Sequence, residues 1–192
     1  MANNSSTGGY LAPSGTPPLD DQALDRFFHD VFMGVTSLPA ALIRPRWQIN
    51  PGNMPPSGTD WMAQGDVERE DEGVAWQYFA KGTQTFTLAR NQTITNLVSI
   101  YGPNASTNEA LLRDGLSLDQ NREAMNLQGI GLVRVGDPRN MSMLINEQWS
   151  KRIDVRITFR RQIVRTYPIL TIQSGSVQIE TDTGIVETVT IT

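Results

Sequence analysis

Cysteine is missing from this 192-residue sequence, and histidine occurs only once, as His29. Without cysteine there is no disulfide scaffold, no thiolate zinc site and no cysteine nucleophile. A single histidine also excludes a metal site with two histidine ligands, and any Ser-His-Asp arrangement would have to use it. His29 lies beside the apolar stripe of a predicted helix, which indicates a surface or capping role. We therefore predict no catalytic site, no metal and no cofactor.

Long apolar runs and an excess of positive charge are also lacking. No run approaches the roughly 18 residues of a membrane span, and the first residues have neither the basic nor the apolar region of a signal peptide. The net charge is −4, so nothing in the overall charge attracts nucleic acid. Glycine-rich nucleotide-binding motifs are absent as well. The sequence predicts a soluble protein that is made in the cytosol and contacts no membrane.

Hydrophobic residues make up 39% of the chain and charged residues 19%, both somewhat below usual values. Small polar residues, glycine and proline fill the difference, which indicates a β-rich core with long polar loops, or a surface that neighbours cover. The length favours one domain with extensions over two domains. We predict an α+β domain at residues 19–172, an N-terminal arm at 1–18 that is either flexible or ordered by a partner, and a C-terminal strand extension at 173–192.

Three helices are predicted from the spacing of apolar residues and from end signals. The first covers residues 19–36 and has one apolar stripe. The second covers 106–115, where Ser106 and Glu109 have the spacing of a capping box. The third is a short helical turn at 119–127.

Strands are predicted where apolar and polar residues alternate or where β-branched residues cluster. Residues 68–73 are predicted as a turn or exposed loop between two of them. Pro45 cannot donate a ladder hydrogen bond, so its strand is predicted to lie at a sheet edge or to contain a break. Since the elements do not alternate βαβ, we predict a mainly antiparallel sheet with helices packed on one face, plus extended N- and C-terminal arms. The predicted strands are 41–49, 61–70, 74–81, 84–101, 130–135, 148–160 and the hairpin-like segment 169–192, with a turn at Asp182-Thr183-Gly184.

A basic stripe lies near the C-terminal end of the predicted domain. It comprises Arg152, Arg156, Arg160, Arg161 and Arg165, with Lys151 beside them. Alternation with apolar residues places Arg152, Arg156 and Arg160 on the polar face of one strand. Three interpretations remain open: a solvated face with weak ion pairs, contacts with carboxylates of an adjacent subunit, or contacts with phosphates. The overall acidity of the chain argues against tight binding of DNA.

An acidic run at Glu68, Glu70, Asp71 and Glu72 is the second charged feature. Such carboxylates hold Ca²⁺ or Mg²⁺ when their spacing is right, but the pattern of a calcium-binding loop is missing. We predict a solvated loop here. It also offers carboxylates to a neighbouring subunit.

Short strings spread along residues 8–170 have a characteristic order and spacing. They are Gly8-Gly9-Tyr10-Leu11-Ala12-Pro13, Pro17-Pro18-Leu19-Asp20-Asp21, Arg44-Pro45-Arg46-Trp47-Gln48, Asp60-Trp61-Met62-Ala63, Tyr101-Gly102-Pro103-Asn104-Ala105, Leu112-Arg113-Asp114-Gly115-Leu116, Gln120-Asn121-Arg122-Glu123, Gln148-Trp149-x-Lys151-Arg152-Ile153-Asp154, Phe159-Arg160-Arg161 and Arg165-Thr166-Tyr167-Pro168. Taken together, the strings resemble the phage neck and tail-terminator proteins encoded beside contractile-sheath genes. Residues 171–192 match no such pattern.

The resemblance implies a structural virion protein that acts as a neck or tail-terminator subunit. Such subunits assemble as a ring, expected to be a hexamer, at the head-proximal end of the tail. The ring ends the tail tube and sheath and offers a surface to the head–tail connector protein, and genomic DNA passes through its lumen. The alternative is another neck component, such as a head-completion or connector protein. An enzyme that uses carboxylates and a general nucleic-acid-binding module are the less favoured classes.

A ring of identical subunits needs one patch of each copy to meet a different patch of the next. The predicted subunit-interface residues are the arginines of the basic stripe, the carboxylates of the acidic run, and Tyr10 and Leu11 as apolar anchors of the N-terminal arm. Residues 177–191 are a further candidate, because an extended segment can add a strand to a neighbour's sheet edge.

Overall fold

The structure is a computed structural model that describes residues 9–48, 52–56, 58–80, 85–145, 148–169, 175–180 and 186–191. Contacts between Cα atoms divide the chain into two compact units. The larger comprises Pro17–Trp76 and Ala89–Val164, and the smaller comprises Met1–Thr16, Gln77–Leu88 and Arg165–Thr192.

The described part of the chain contains three α-helices and one 3₁₀ turn, at Ala40–Leu42. The helices are α1 (Asp21–Thr36), α2 (Ala105–Ser117) and α3 (Asp119–Asn126). The strands are β1 (Ile43–Pro45), β2 (Trp61–Ala80), β3 (Thr85–Tyr101), β4 (Ile130–Val135), β5 (Arg139–Asn140), β6 (Met143–Ile145), β7 (Gln148–Ser150), β8 (Arg152–Pro168), β9 (Gly175–Glu180) and β10 (Val186–Ile191).

One six-stranded sheet organises these elements in the order β1-β2-β3-β8-β4, and β5 also pairs with β8. β4 and β5 run antiparallel to β8, whereas β1 runs parallel to β2. Separate antiparallel pairs form between β6 and β7 and between β9 and β10. The fold is α+β with a mainly antiparallel sheet, which confirms the predicted class.

The core of the larger unit lies between the three helices and one face of the sheet. Phe28 and Phe32 of α1 are fully buried, and the ring centroid of Phe28 lies 4.7 Å from that of Phe159 in β8. Leu112 of α2 and Met125 of α3 join the same apolar cluster. Burial of these side chains supplies the main driving force for folding.

The smaller unit contains the distal ends of long strands and the β9–β10 pair. The backbone N–H of Ser14 donates to the carbonyl of Thr166, at 2.7 Å, so the chain near its N-terminus is bonded to the end of β8. The predicted hairpin within 169–192 is confirmed as a strand pair, while its proposed turn at 182–184 lies outside the described residues.

The predicted loop at residues 68–73 is wrong, since β2 runs through it without a break. A charged run with a glycine has a weak intrinsic strand preference, but a neighbouring strand can override it. Here Gln92 and Thr93 of β3 donate hydrogen bonds to Asp71 and Glu72, at 2.9 and 2.5 Å. These contacts come from residues about twenty positions away in sequence, which local patterns do not reveal.

Two smaller predictions also need correction. The strand predicted at 41–49 shortens to β1, although its position at the sheet edge is confirmed. The capping box is wrong as well: α2 starts at Ala105, and the carboxylate of Asp60 accepts a hydrogen bond from the backbone N–H of Asn104 at 2.9 Å. Glu109 instead accepts hydrogen bonds from Arg113, four residues later.

Candidate subunit interface

Side chains alternate along β8, so the arginines of the basic stripe are divided between the two faces of the sheet. Its odd-numbered residues from Ile153 to Ile163 face the core, and the even-numbered residues face outward. Arg156 and Arg160 are exposed on the outer face, as the alternation predicts, whereas Arg161 is 5% exposed and belongs to the core face. The five arginines therefore do not form one surface.

Arg152 is held by partners within its own chain. It donates two hydrogen bonds to the carboxylate of Asp154, at 2.7 and 2.8 Å, and its guanidinium lies 5.5 Å from the ring centroid of Tyr101. The hydrogen bonds to Asp154 raise the pKa of Arg152, although burial opposes them. Arg46 donates at 2.5 Å to Ser99, which also bonds Asp154, and burial lowers the pKa of Arg46. These groups form a partly buried polar network.

Part of the acidic run is also paired internally. The carboxylate of Glu72 lies 2.6 Å from the guanidinium of Arg160, and Asp71 pairs with Arg90. Glu68 and Glu70 are exposed and have no side-chain partner among the residues that the structure describes. Two of the four carboxylates, and one of the exposed arginines, thus contribute to contacts within the subunit.

Arg161 connects the start of α1 to the middle of the sheet. Its Nε and Nη2 donate to Gln92 at 3.0 and 2.7 Å, and Nη2 also donates to Asp20 at 2.7 Å. A further N–H donates to the carbonyl of Leu19. A guanidinium with this many internal acceptors is a fold-stabilising group. Its odd-numbered position, shared with Ile157 and Phe159, is the sequence signal that would have separated it from the outer arginines.

The other predicted interface residues lie in the smaller unit. Tyr10 is 93% exposed and Leu11 is 40% exposed, and Arg165 is half-buried. None of the three has a side-chain hydrogen bond or ion pair within the described ranges. Their role in contacts between subunits stays a prediction.

A groove on the outer face of the larger unit contains two arginines that the sequence reading missed. Arg134 and Arg139 line it together with Arg156, and the groove encloses about 510 Å³. Gly136 brings this edge close to β8: its N–H donates to the carbonyl of Arg156 at 2.8 Å, and a Cβ there would lie 2.8 Å from the same oxygen. Alternation from the core-facing Ile130 and Leu132 would place Arg134 inward, but a register shift between Leu132 and Arg134 pairs it with Thr158 on the outer face.

An apolar hairpin, β6–β7, is the second surface that sequence reasoning did not identify. Leu144 and Trp149 are cross-strand partners, exposed by 59% and 76%. Met141 and Met143 lie nearby in sequence and are exposed as well. Adjacent exposed side chains of this size are typical of a surface that a partner covers.

His29, in the middle of α1, contacts the 3₁₀ turn that follows the helix. Its Nδ1 lies 2.9 Å from a carboxylate oxygen of Asp30, and its Nε2 lies 3.0 Å from the carbonyl oxygen of Ala40. Burial lowers the pKa of His29, but the hydrogen bonds to Asp30 and Ala40 outweigh it, and the net effect raises that pKa above 6.5.

Within the described ranges, no group of three or more acidic or histidine side chains is placed to hold a metal ion. No helix there has both the length and the apolar character that crossing a membrane requires. The surface described above consists of paired charges, a mixed groove and an apolar hairpin, a combination that suits contacts with other proteins.

A sequence model of the family described as phage neck terminator protein matches residues 22–184. No curated protein matches the chain.

Proposed function

Because this chain belongs to the phage neck terminator protein family, we propose that it builds a hexameric ring at the head-proximal end of a phage tail. Membership makes the chain a structural protein of the phage neck and a component of the virion. The ring, its six copies and its place beside the head–tail connector are the proposed steps beyond the family. Residues 22–184 include every described strand of the six-stranded sheet, so the match covers the whole of the larger unit's core.

The observation that carries the ring is the exposed apolar hairpin β6–β7. A soluble monomer rarely leaves a tryptophan and a leucine side by side in water, because transfer of each to an apolar contact is favourable by roughly 1.5–3 kcal/mol. Trp149 and Leu144 have this arrangement. In a ring, the neighbouring copy covers such a hairpin.

The ring acts through its surfaces, without catalysis. It ends the growth of the tail tube and sheath, and it presents a face to the connector. Genomic DNA passes through the lumen. The net charge of −4 fits this passage, since a strongly basic lumen would bind and retain the phosphates.

The mass of the purified chain tests the ring directly. We expect particles of six times the 21.3 kDa subunit mass in native mass spectrometry, and the same particles at one end of tubes when tail-tube protein is added. A head-completion or connector protein would instead bind to the portal end of filled heads and leave tube ends free. A chain that stays monomeric in intact particles, or is absent from the head–tail junction, would contradict the proposal.

The apolar hairpin can be tested by substitution. We expect the pair Leu144→Ser and Trp149→Ser to abolish ring formation while the subunit stays folded, since both side chains are exposed. Met54→Ser, at another exposed apolar residue, is the control and should leave the ring intact. Equal ring formation by both variants, measured by light scattering, would show that the hairpin is not covered by a neighbour.

A further inference from the structure

The groove on the outer sheet face collects arginines that have no partner in their own chain. Arg134, Arg139 and Arg156 are exposed, and none forms an ion pair or a side-chain hydrogen bond with any described residue. Arg152 and Arg160 on the same face are both paired with carboxylates. Bringing three like charges together is unfavourable unless an opposite charge joins them.

The lining of the groove indicates the chemistry of its occupant. Glu68, Asp137 and Asp154 also border it, and Asp154 is already bonded by Arg152. The lining therefore carries both charges, and it also includes Leu97 and Thr158. A continuous polyanion such as DNA would meet the carboxylates as well as the arginines. A protein surface with separate carboxylates and small apolar side chains fits better.

A surface of this kind lies on the outward side of α2 and α3. We name it the acidic helix face. Asp114, Asp119 and Glu123 are exposed there, and none has an ion-pair partner in the described ranges. Leu111 and Leu118 are exposed beside them by 46% and 60%, and Leu127 follows at the end of α3.

The two surfaces lie on opposite sides of the larger unit. The inward side chains Leu112 and Met125 of the helices pack in the core with the odd-numbered residues of β8, whereas Arg156 and Thr158 of the groove face away from that core. Head-to-tail contacts in a ring require two different patches whose directions do not coincide. A groove on one side and a complementary face on the other meet this requirement.

We propose that the arginine groove of one copy binds the acidic helix face of the next copy in the ring. Arg134, Arg139 and Arg156 donate hydrogen bonds to the carboxylates of Asp114, Asp119 and Glu123, and the exposed leucines cover the apolar part of the groove. Charge-assisted hydrogen bonds from guanidinium to carboxylate give such contacts their orientation. This inference rests on the proposed ring and identifies the surfaces that close it.

Charge reversal in the full chain tests the inference. The first variant carries Arg134→Glu, Arg139→Glu and Arg156→Glu, and the second carries Asp114→Lys, Asp119→Lys and Glu123→Lys. Each variant alone places like charges at every contact, so we expect at least a tenfold loss of rings in light scattering. An equal mixture should restore them in rings that alternate the two variants. Each reversed groove then meets a reversed helix face, and each unchanged groove meets an unchanged helix face.

Controls separate folding from assembly. Circular dichroism of both variants should match that of the parent chain, because all six positions are exposed. Arg26→Glu, at an exposed residue of α1 outside both surfaces, should leave assembly unchanged.

The outcomes distinguish this inference from the proposed function. If the parent chain forms no ring, the proposed function fails. If the parent chain forms rings and the triple variants do so equally well, or if the mixture restores nothing, the pairing of these surfaces is overturned while the ring stands. Loss of binding to a double-stranded oligonucleotide by the groove variant, with rings unaffected, would assign the groove to DNA and also overturn the pairing.

Discussion

At the scale of single residues, neighbouring arginines of β8 have opposite roles. Arg160 points outward and pairs with Glu72, while Arg161 points inward and bonds Gln92, Asp20 and Leu19. Both belong to a basic cluster in the sequence, and only the parity of their positions separates them. A charged residue at a core-facing position of a strand is therefore better interpreted as an internal connection than as part of a binding surface.

Arg161→Gln should destabilise the fold, because it removes the donor to the carbonyl of Leu19 and the closer of the two arginine donors to Asp20. Losing a buried guanidinium with several acceptors costs about 2–4 kcal/mol, and exposed substitutions cost under about 0.5 kcal/mol. Urea denaturation of the dissociated subunit measures the difference. Arg26→Gln, at an exposed residue of α1, is the matched control. A similar midpoint for both variants would show that the Arg161 contacts add no stability.

His29 predicts a dependence of stability on pH. Its pKa is raised in the folded state, so the contribution is fully present below the unfolded value of about 6.5 and is lost as pH rises through the higher folded value. We expect the parent chain to melt at a higher temperature than His29→Gln near pH 5.5, with the gap shrinking toward about pH 8.5. A gap that is constant or grows with pH would contradict the contact with Asp30 and Ala40.

At the scale of elements, the contact between α1 and α2 depends on a missing side chain. A Cβ on Gly115 would lie 2.6 Å from the Cβ of Val35, whereas a Cβ on Gly34 would meet nothing within 4 Å. Gly115 is therefore a point of close approach between α1 and α2, where no side chain fits. Helix propensity alone would favour alanine at both positions.

Gly115→Ala should cost about 1–3 kcal/mol, because the helices must separate to accept the methyl group. Gly34→Ala should be neutral or stabilise α1 by up to about 1 kcal/mol, since it only adds helix propensity. Thermal unfolding of the two variants provides the comparison. Equal shifts in both would indicate that α1 and α2 are packed more loosely than the structure has them.

The helices were easier to predict than the long strands. The spacing of apolar residues that indicates α1, α2 and α3 lies within each helix itself, so the sequence of each segment is sufficient to predict it. β2 keeps its strand conformation through Asp71 and Glu72 because side chains of β3 and β8 bind them, and no local pattern contains that information. The same reason explains why Arg134, Arg139 and Arg156, separate in sequence, were not recognised as the lining of one groove.

At the scale of the whole molecule, the family and the fold class followed from the sequence, whereas the surfaces did not. Ordered strings along residues 8–170 were sufficient for the family, which the match over 22–184 confirms. The surfaces depend on which charges are already satisfied inside the subunit. That is a three-dimensional property: Asp71 and Glu72 pair inside the subunit, whereas Glu68 and Glu70 have no side-chain partner among the described residues.

The C-terminal extension gives a prediction at this scale. β9 and β10 pair with each other, and the notion that residues 177–191 add a strand to a neighbouring copy remains a prediction. Deleting 173–192 should weaken ring assembly in light scattering, while circular dichroism should change only by the loss of β9 and β10. Full assembly by the truncated chain would show that the extension is not needed for contacts between subunits.

The late position of β8 has a consequence for the timing of synthesis. This strand lies in the middle of the sheet, and Arg161 reaches back 141 residues to Asp20. While a ribosome is still translating the first 150 residues, α1 lacks its contact with Phe159, Asp20 lacks Arg161, and β3 and β4 lack the strand between them. In incomplete chains the sheet therefore stays unfinished, and only a complete chain presents both the arginine groove and the acidic helix face to other copies.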